Sequence, residues 1–150
     1  MQDMILVSTM TEKKHNPFKL RDFRGISNEA ITKLETRRIK NAEQLLIAGN
    51  TKEQRSVLAK ETGISDDVLL ELVKLSDLAR LPGVKGIRAR LYYDAGVDSV
   101  EKMASWEPEA LRVMVTAYVE RTGFDGIPPL PKEVSSTIAN AQKLPKVVEF

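Results

Sequence analysis

Leu81-Pro82-Gly83-Val84-Lys85-Gly86-Ile87-Arg88-Ala89-Arg90-Leu91 decides how this chain is read, because a partial echo of it lies upstream. The echo is Phe23-Arg24-Gly25-Ile26-Ser27-Asn28-Glu29-Ala30-Ile31. Gly25 and Gly83 stand 58 residues apart, and the same offset sets Ile26 on Val84, Leu34 on Tyr92 and Ile39 on Val97. An apolar residue, a glycine, then Ile or Val and a helix start describe a tight reversal between two helices. Glycine supplies backbone angles closed to other residues, and the next apolar residue anchors the reversal in the core. The N–H groups that follow open a helix, where unpaired donors and the helix dipole favour an anion.

Outward from these stretches, capping signals parcel the chain into helices. Ser27 predicts a helix over about 28–37, with Ile31 and Leu34 on one face. Asn41 with Gln44 opens a short helix stopped by Gly49, and Thr51 with Gln54 opens another closed by Gly63. Ser65 caps a longer helix whose first turn holds Asp66 and Asp67 and whose stripe is Val68, Leu69, Leu72, Leu75 and Ala79.

The second half replays this plan. A helix over about 87–95 stops at Gly96, and Asp98 with Glu101 predicts a capping box before Val100, Met103 and Ala104. Pro108 opens a helix to Thr122 with Leu111, Met114, Val115 and Tyr118 as its core stripe. Val113, Ala117 and Val119 make this helix apolar on a second side as well, which favours a buried helix and supports a protein-interaction reading. A stiff connector over 128–131 precedes a last helix over about 132–144. The class is all-α: a leader over 1–19, expected to be mobile, then one helical domain over 20–150 built from two pseudo-repeated units, about 20–78 and 78–144. Met1, Met4 and Met10 all remain candidate start residues.

Composition narrows the function. The chain has 150 residues, no cysteine and a single histidine, His15, in a polar N-terminal tract. Disulfides, thiol nucleophiles and cysteine-based metal sites are excluded, and a reducing cytoplasm is the expected compartment. The longest early apolar run, Met4-Ile5-Leu6-Val7, is far too short to span a bilayer, so no membrane partner is expected. Asp66-Asp67 and Glu107/Glu109 are helix first turns rather than catalytic pairs, and no phosphate loop, dinucleotide fingerprint or nucleophile elbow is present. No enzymatic activity, metal or cofactor is expected.

Net charge is only +2, but it is segregated. Residues 1–40 hold nine Lys/Arg against five Asp/Glu, and 78–100 hold four against two. The connecting stretch 41–77 holds four against seven, and 101–150 holds six against seven. Arg21, Arg24, Arg37, Arg38 and Lys40 form a basic cluster about the first hairpin and Arg80, Lys85, Arg88 and Arg90 a second, which points to an anionic partner. A solvated helix face accounts for any one arginine taken alone; the Lys85/Arg88 pair beside a hairpin is the exception worth testing.

Leu81-Pro82-Gly83-Val84 followed by Ala89 resembles the helix-hairpin-helix module of DNA repair and recombination proteins. The arrangement from about Leu20 to Leu144 is similar to a family of microbial proteins catalogued as a domain of unknown function, which holds two such modules. The resemblance implies contact with a DNA or RNA backbone phosphate through Gly83, Lys85 and Gly86, and through Gly25, Ser27 and Asn28 in the first copy, and Arg88 joins them by its charge beside Lys85. The DNA-binding pattern carries a second glycine where this chain has Ser27 and Lys85, and a small residue where the first copy has Ile31. The first hairpin therefore reads as framework and the second as the functional one. The competing expectation is a protein-interaction or scaffold domain that keeps the fold without the phosphate site. The oligomeric state is left open.

Overall fold

Helices form where the capping signals place them, because each cap satisfies amides that would otherwise be orphaned. The computed structural model describes residues 17–150. The readings of the leader, including the 4–7 run, the candidate start residues and His15, lie outside the described residues. After a short 3-10 turn at Leu20–Asp22 come α1 (Asn28–Thr36), α2 (Ala42–Ala48), α3 (Lys52–Thr62) and α4 (Asp66–Leu78). Then follow α5 (Gly86–Asp94), α6 (Val100–Ser105), α7 (Pro108–Thr122) and α8 (Pro131–Lys143). Among the described residues there is no β-strand, only an isolated bridge between Lys19 and Asn41.

Ser27, Thr51 and Ser65 each accept a backbone N–H from three residues on, and Asn41 with Gln44 forms a reciprocal capping box. One cap differs from expectation. Ser99, not Asp98, caps α6, its hydroxyl accepting the Lys102 N–H at 3.1 Å. Asp98 is freed to pair with Lys74 at 2.7 Å and Lys102 at 2.8 Å, which ties α6 to α4.

The same order of elements runs twice. Helix lengths are 9, 7, 11 and 13 residues in the first half and 9, 6, 15 and 13 in the second. In the first half α2 and α3 pack on α4; in the second α6 and α7 pack on α8. Gly25 and Gly83 share a left-handed φ of +82°. Arg38 takes a φ of +66° where Gly96, 58 residues later, takes +104°. The turns ending α1 and α5 close with matching bonds, Ile39 N–H to Leu34 at 3.0 Å and Val97 N–H to Tyr92 at 2.8 Å.

The two halves meet on α4, which also packs against α5. Leu69, Leu72, Val73, Leu75 and Leu78 on α4 are all 0% exposed. Each such side chain contributes about 1.5–3 kcal/mol of apolar burial, so α4 is the spine of the domain. The chain beyond α8 returns to the first half: Val148 is buried, the Glu149 N–H donates to the Asn50 carbonyl at 2.8 Å, and Arg55 donates to the Glu149 carbonyl at 2.8 Å.

α7 is a helix of the expected length, but it is buried on one side only. Leu111 and Val115 are buried while Val113 is 53% exposed and Ala117 is exposed. It packs chiefly on α8, and on its other side Val119 is half-buried while Val113 and Ala117 stay exposed.

Candidate functional site

Each hairpin is built by a short turn that ends in a glycine. In the second, the Leu81 N–H bonds to the Leu78 carbonyl at 3.1 Å and the Val84 N–H to the Leu81 carbonyl at 3.0 Å. Pro82 and Gly83 project outward as Leu81 and Val84 plug inward, the latter two 0% and 1% exposed. In the first, the Phe23 N–H bonds to Leu20 at 3.1 Å, Phe23 is buried, and Ile26 is only half-buried.

The sequence-selected residues divide by environment. Gly83 and Lys85 are exposed, and Lys85 occupies the N-cap of α5 without a side-chain cap bond. Lys85 makes no ion pair among the described residues. Gly86 is buried instead: a Cβ built on it would lie 2.5 Å from the Asp22 carbonyl oxygen and 3.2 Å from the Phe18 ring. It lets α5 cross the backbone of the first hairpin at close range. Arg88 is held by Glu133, with Nε at 2.6 Å and Nη2 at 3.2 Å, and it also donates to the Ile127 carbonyl.

In the first hairpin Gly25, Ser27 and Asn28 are all exposed, and the Ser27 hydroxyl is engaged by the Ala30 N–H at 3.2 Å. Behind Gly25 lies the guanidinium of Arg90. It donates from Nε and Nη2 to the Arg24 carbonyl at 2.9 and 2.6 Å and pairs with Glu71 at 2.7 Å and Asp94 at 3.2 Å. Arg90, read from sequence as part of a basic surface cluster, is only 8% exposed and clamps one hairpin to the helix of the other. Most of the first basic cluster is likewise committed: Arg21 pairs with Glu35 at 2.6 Å, Arg37 with Glu61 at 2.8 Å, and Arg24 donates to the Asp125 carbonyl at 2.9 Å. The Arg21 hydrogen bond outweighs slight burial and holds the Glu35 carboxyl below its usual value. Arg38 and Lys40 stay exposed.

Beside the second hairpin opens a cleft of about 540 Å³, bordered by Phe18, Leu46, Ser76, Arg80, Pro82 and Lys85. It was not foreseen from the sequence. Its walls come from segments far apart in the chain, and the one local signal is the Ser76-Asp77 pair inside the apolar run of α4. Ser76 is fully buried, and its hydroxyl makes no hydrogen bond among the described residues. Asp77 holds Arg80 at 2.7 Å; burial dominates, and pushes the Asp77 carboxyl above its ordinary value despite that neighbour.

A family model matches residues 24–144, from Arg24 in the first hairpin to Leu144 just beyond α8. The chain belongs to this family, a domain of unknown function, DUF4332. The DUF4332 match takes in both halves and both hairpin glycines but stops before the returning C-terminal strap. No curated protein and no solved structure matches the chain. Among the described residues, no helix is long and apolar enough to cross a membrane.

Proposed function

We propose that this chain is a non-enzymatic module that holds nucleic-acid backbone, without regard to sequence, chiefly at its second hairpin. The observation that carries the reading is the bare first turn of α5. Its N-cap residue makes no side-chain cap bond, the exposed Lys85 ammonium stands at its end, and Gly83 beside it leaves space. Helix-terminal amides with a neighbouring cation suit a phosphate oxygen. The likeness of the hairpin to helix-hairpin-helix modules supports the same reading. Gly86 faces Asp22 and Arg88 is held by Glu133, so contact narrows to Gly83, Lys85 and the amide end of α5. Phosphate contacts position a protein without reading bases, hence no sequence preference.

The test is fluorescence anisotropy with labelled DNA across a range of salt concentrations, for the wild type and Lys85→Glu. A small footprint gives a log–log salt slope of about two to four, and losing one phosphate contact lowers it by about one. Absence of binding at low salt, or binding indifferent to Lys85→Glu, overturns the reading.

A specific observation favours a second reading, a protein-interaction or scaffold domain. Ile127 and Leu130, in the connector before α8, are 77% and 70% exposed, and Ile87 beside Gly126 is 42% exposed. Light scattering and cross-linking decide it: a strict monomer that captures no protein stands against it.

A further inference from the structure

The cleft beside the second hairpin has two properties that backbone contact alone does not require. Its wall includes the half-buried ring of Phe18, which leans on Phe23 at a centroid distance of 4.7 Å. Finally, Lys85 belongs to both the cleft and the hairpin.

We infer that this cleft receives one unpaired nucleobase from the strand whose phosphate rests at the second hairpin, so that the preferred partner is single-stranded rather than duplex nucleic acid. The inference rests on the backbone-binding reading and deepens it. A base entering between Phe18, Leu46 and Pro82 exchanges water for an aromatic face and apolar walls. Lys85 remains beside the phosphate at the mouth. In a duplex, bases are stacked and paired, and the stiff backbone keeps them from turning into a cleft of this kind. Stacking on an aromatic side chain tolerates any base, in keeping with the absence of sequence readout.

Three probes of equal length separate the contributions: oligothymidylate, a duplex, and an abasic single strand with the same phosphates but no bases. The wild-type protein binds oligothymidylate roughly five- to tenfold more tightly than the other two. Ala79→Trp, which fills the cleft from its α4 side, brings all three probes to one affinity. Phe18→Leu keeps an apolar group against Gly86 but removes the ring, and serves where Ala79→Trp disturbs the helical circular dichroism. Equal wild-type affinity for the three probes, or a preference that survives both substitutions, overturns the cleft and leaves backbone binding standing. Failure of all three probes at low salt overturns the backbone reading and the cleft with it.

Discussion

A methyl group added at Gly86 meets the Asp22 carbonyl oxygen at 2.5 Å, whereas one added at Gly83 meets nothing within 4 Å. The two glycines of one hairpin are therefore needed for different reasons. Gly83→Ala is expected to cost about 1 kcal/mol, through its φ of +82° alone. Gly86→Ala is expected to cost about 2–3 kcal/mol, although alanine is the better helix former, because backbone at Asp22 has to move. Urea unfolding of both variants checks this; a neutral or stabilising Gly86→Ala would show that the crossing is looser than described. The role of Gly83 was legible, since a left-handed turn between two helices is a local demand. That of Gly86 was not: it is set by a piece of chain in the other half, and sequence spacing carries no record of which backbone passes beneath a helix. Arg90 was misread for the same reason. An arginine on a basic helix looks solvated until the Arg24 carbonyl and Glu71 are placed against it.

At the scale of elements, most helix starts were readable because Ser27, Asn41, Thr51 and Ser65 act within their own next turn. The start of α6 slipped by one residue where two capable caps, Asp98 and Ser99, stand side by side. Tertiary structure chose between them, since Lys74 on α4 draws Asp98 away. Burial works against the Asp98 charge, but hydrogen bonds from Lys102 and Lys74 outweigh it and hold the carboxyl below its ordinary value of 3.8. A depressed carboxylate stabilises the fold above its unfolded-state pKa, and that stabilisation disappears as pH falls through the folded value. Asp98→Asn is therefore expected to be less stable than wild type at neutral pH, with the gap closing in acid as pH falls through the depressed folded value. Thermal melts at neutral and acid pH check the sign; a gap that widens in acid would refute it. α7 was read as a buried helix because its apolar residues cover two sides. Apolarity predicts burial only where another element is available, and α8 supplies one partner, not two.

Across the whole molecule, the family resemblance ends at residue 144, yet the six residues beyond it close the fold. They bury Val148 and provide carbonyls to Arg80 from Pro145 and to Arg55 from Glu149. Removing 145–150 is expected to lower the unfolding free energy by about 2–3 kcal/mol and to speed amide exchange in α3, whose Arg55 loses an acceptor. Truncation without either effect would make the strap an ornament of the fold. The sequence plan of two halves carried no record of how they would be joined. Arg90 reaches from the second half into the first hairpin, and the strap returns from the end of the chain to the start of α3.

That double fastening bears on whatever the hairpins touch. With Gly86 seated on Asp22 and Arg90 bonded to the Arg24 carbonyl, the two tips cannot shift against each other without breaking buried contacts. The molecule therefore presents its two tips as a ruler with fixed marks. Anything held at one tip meets the other at a single set spacing.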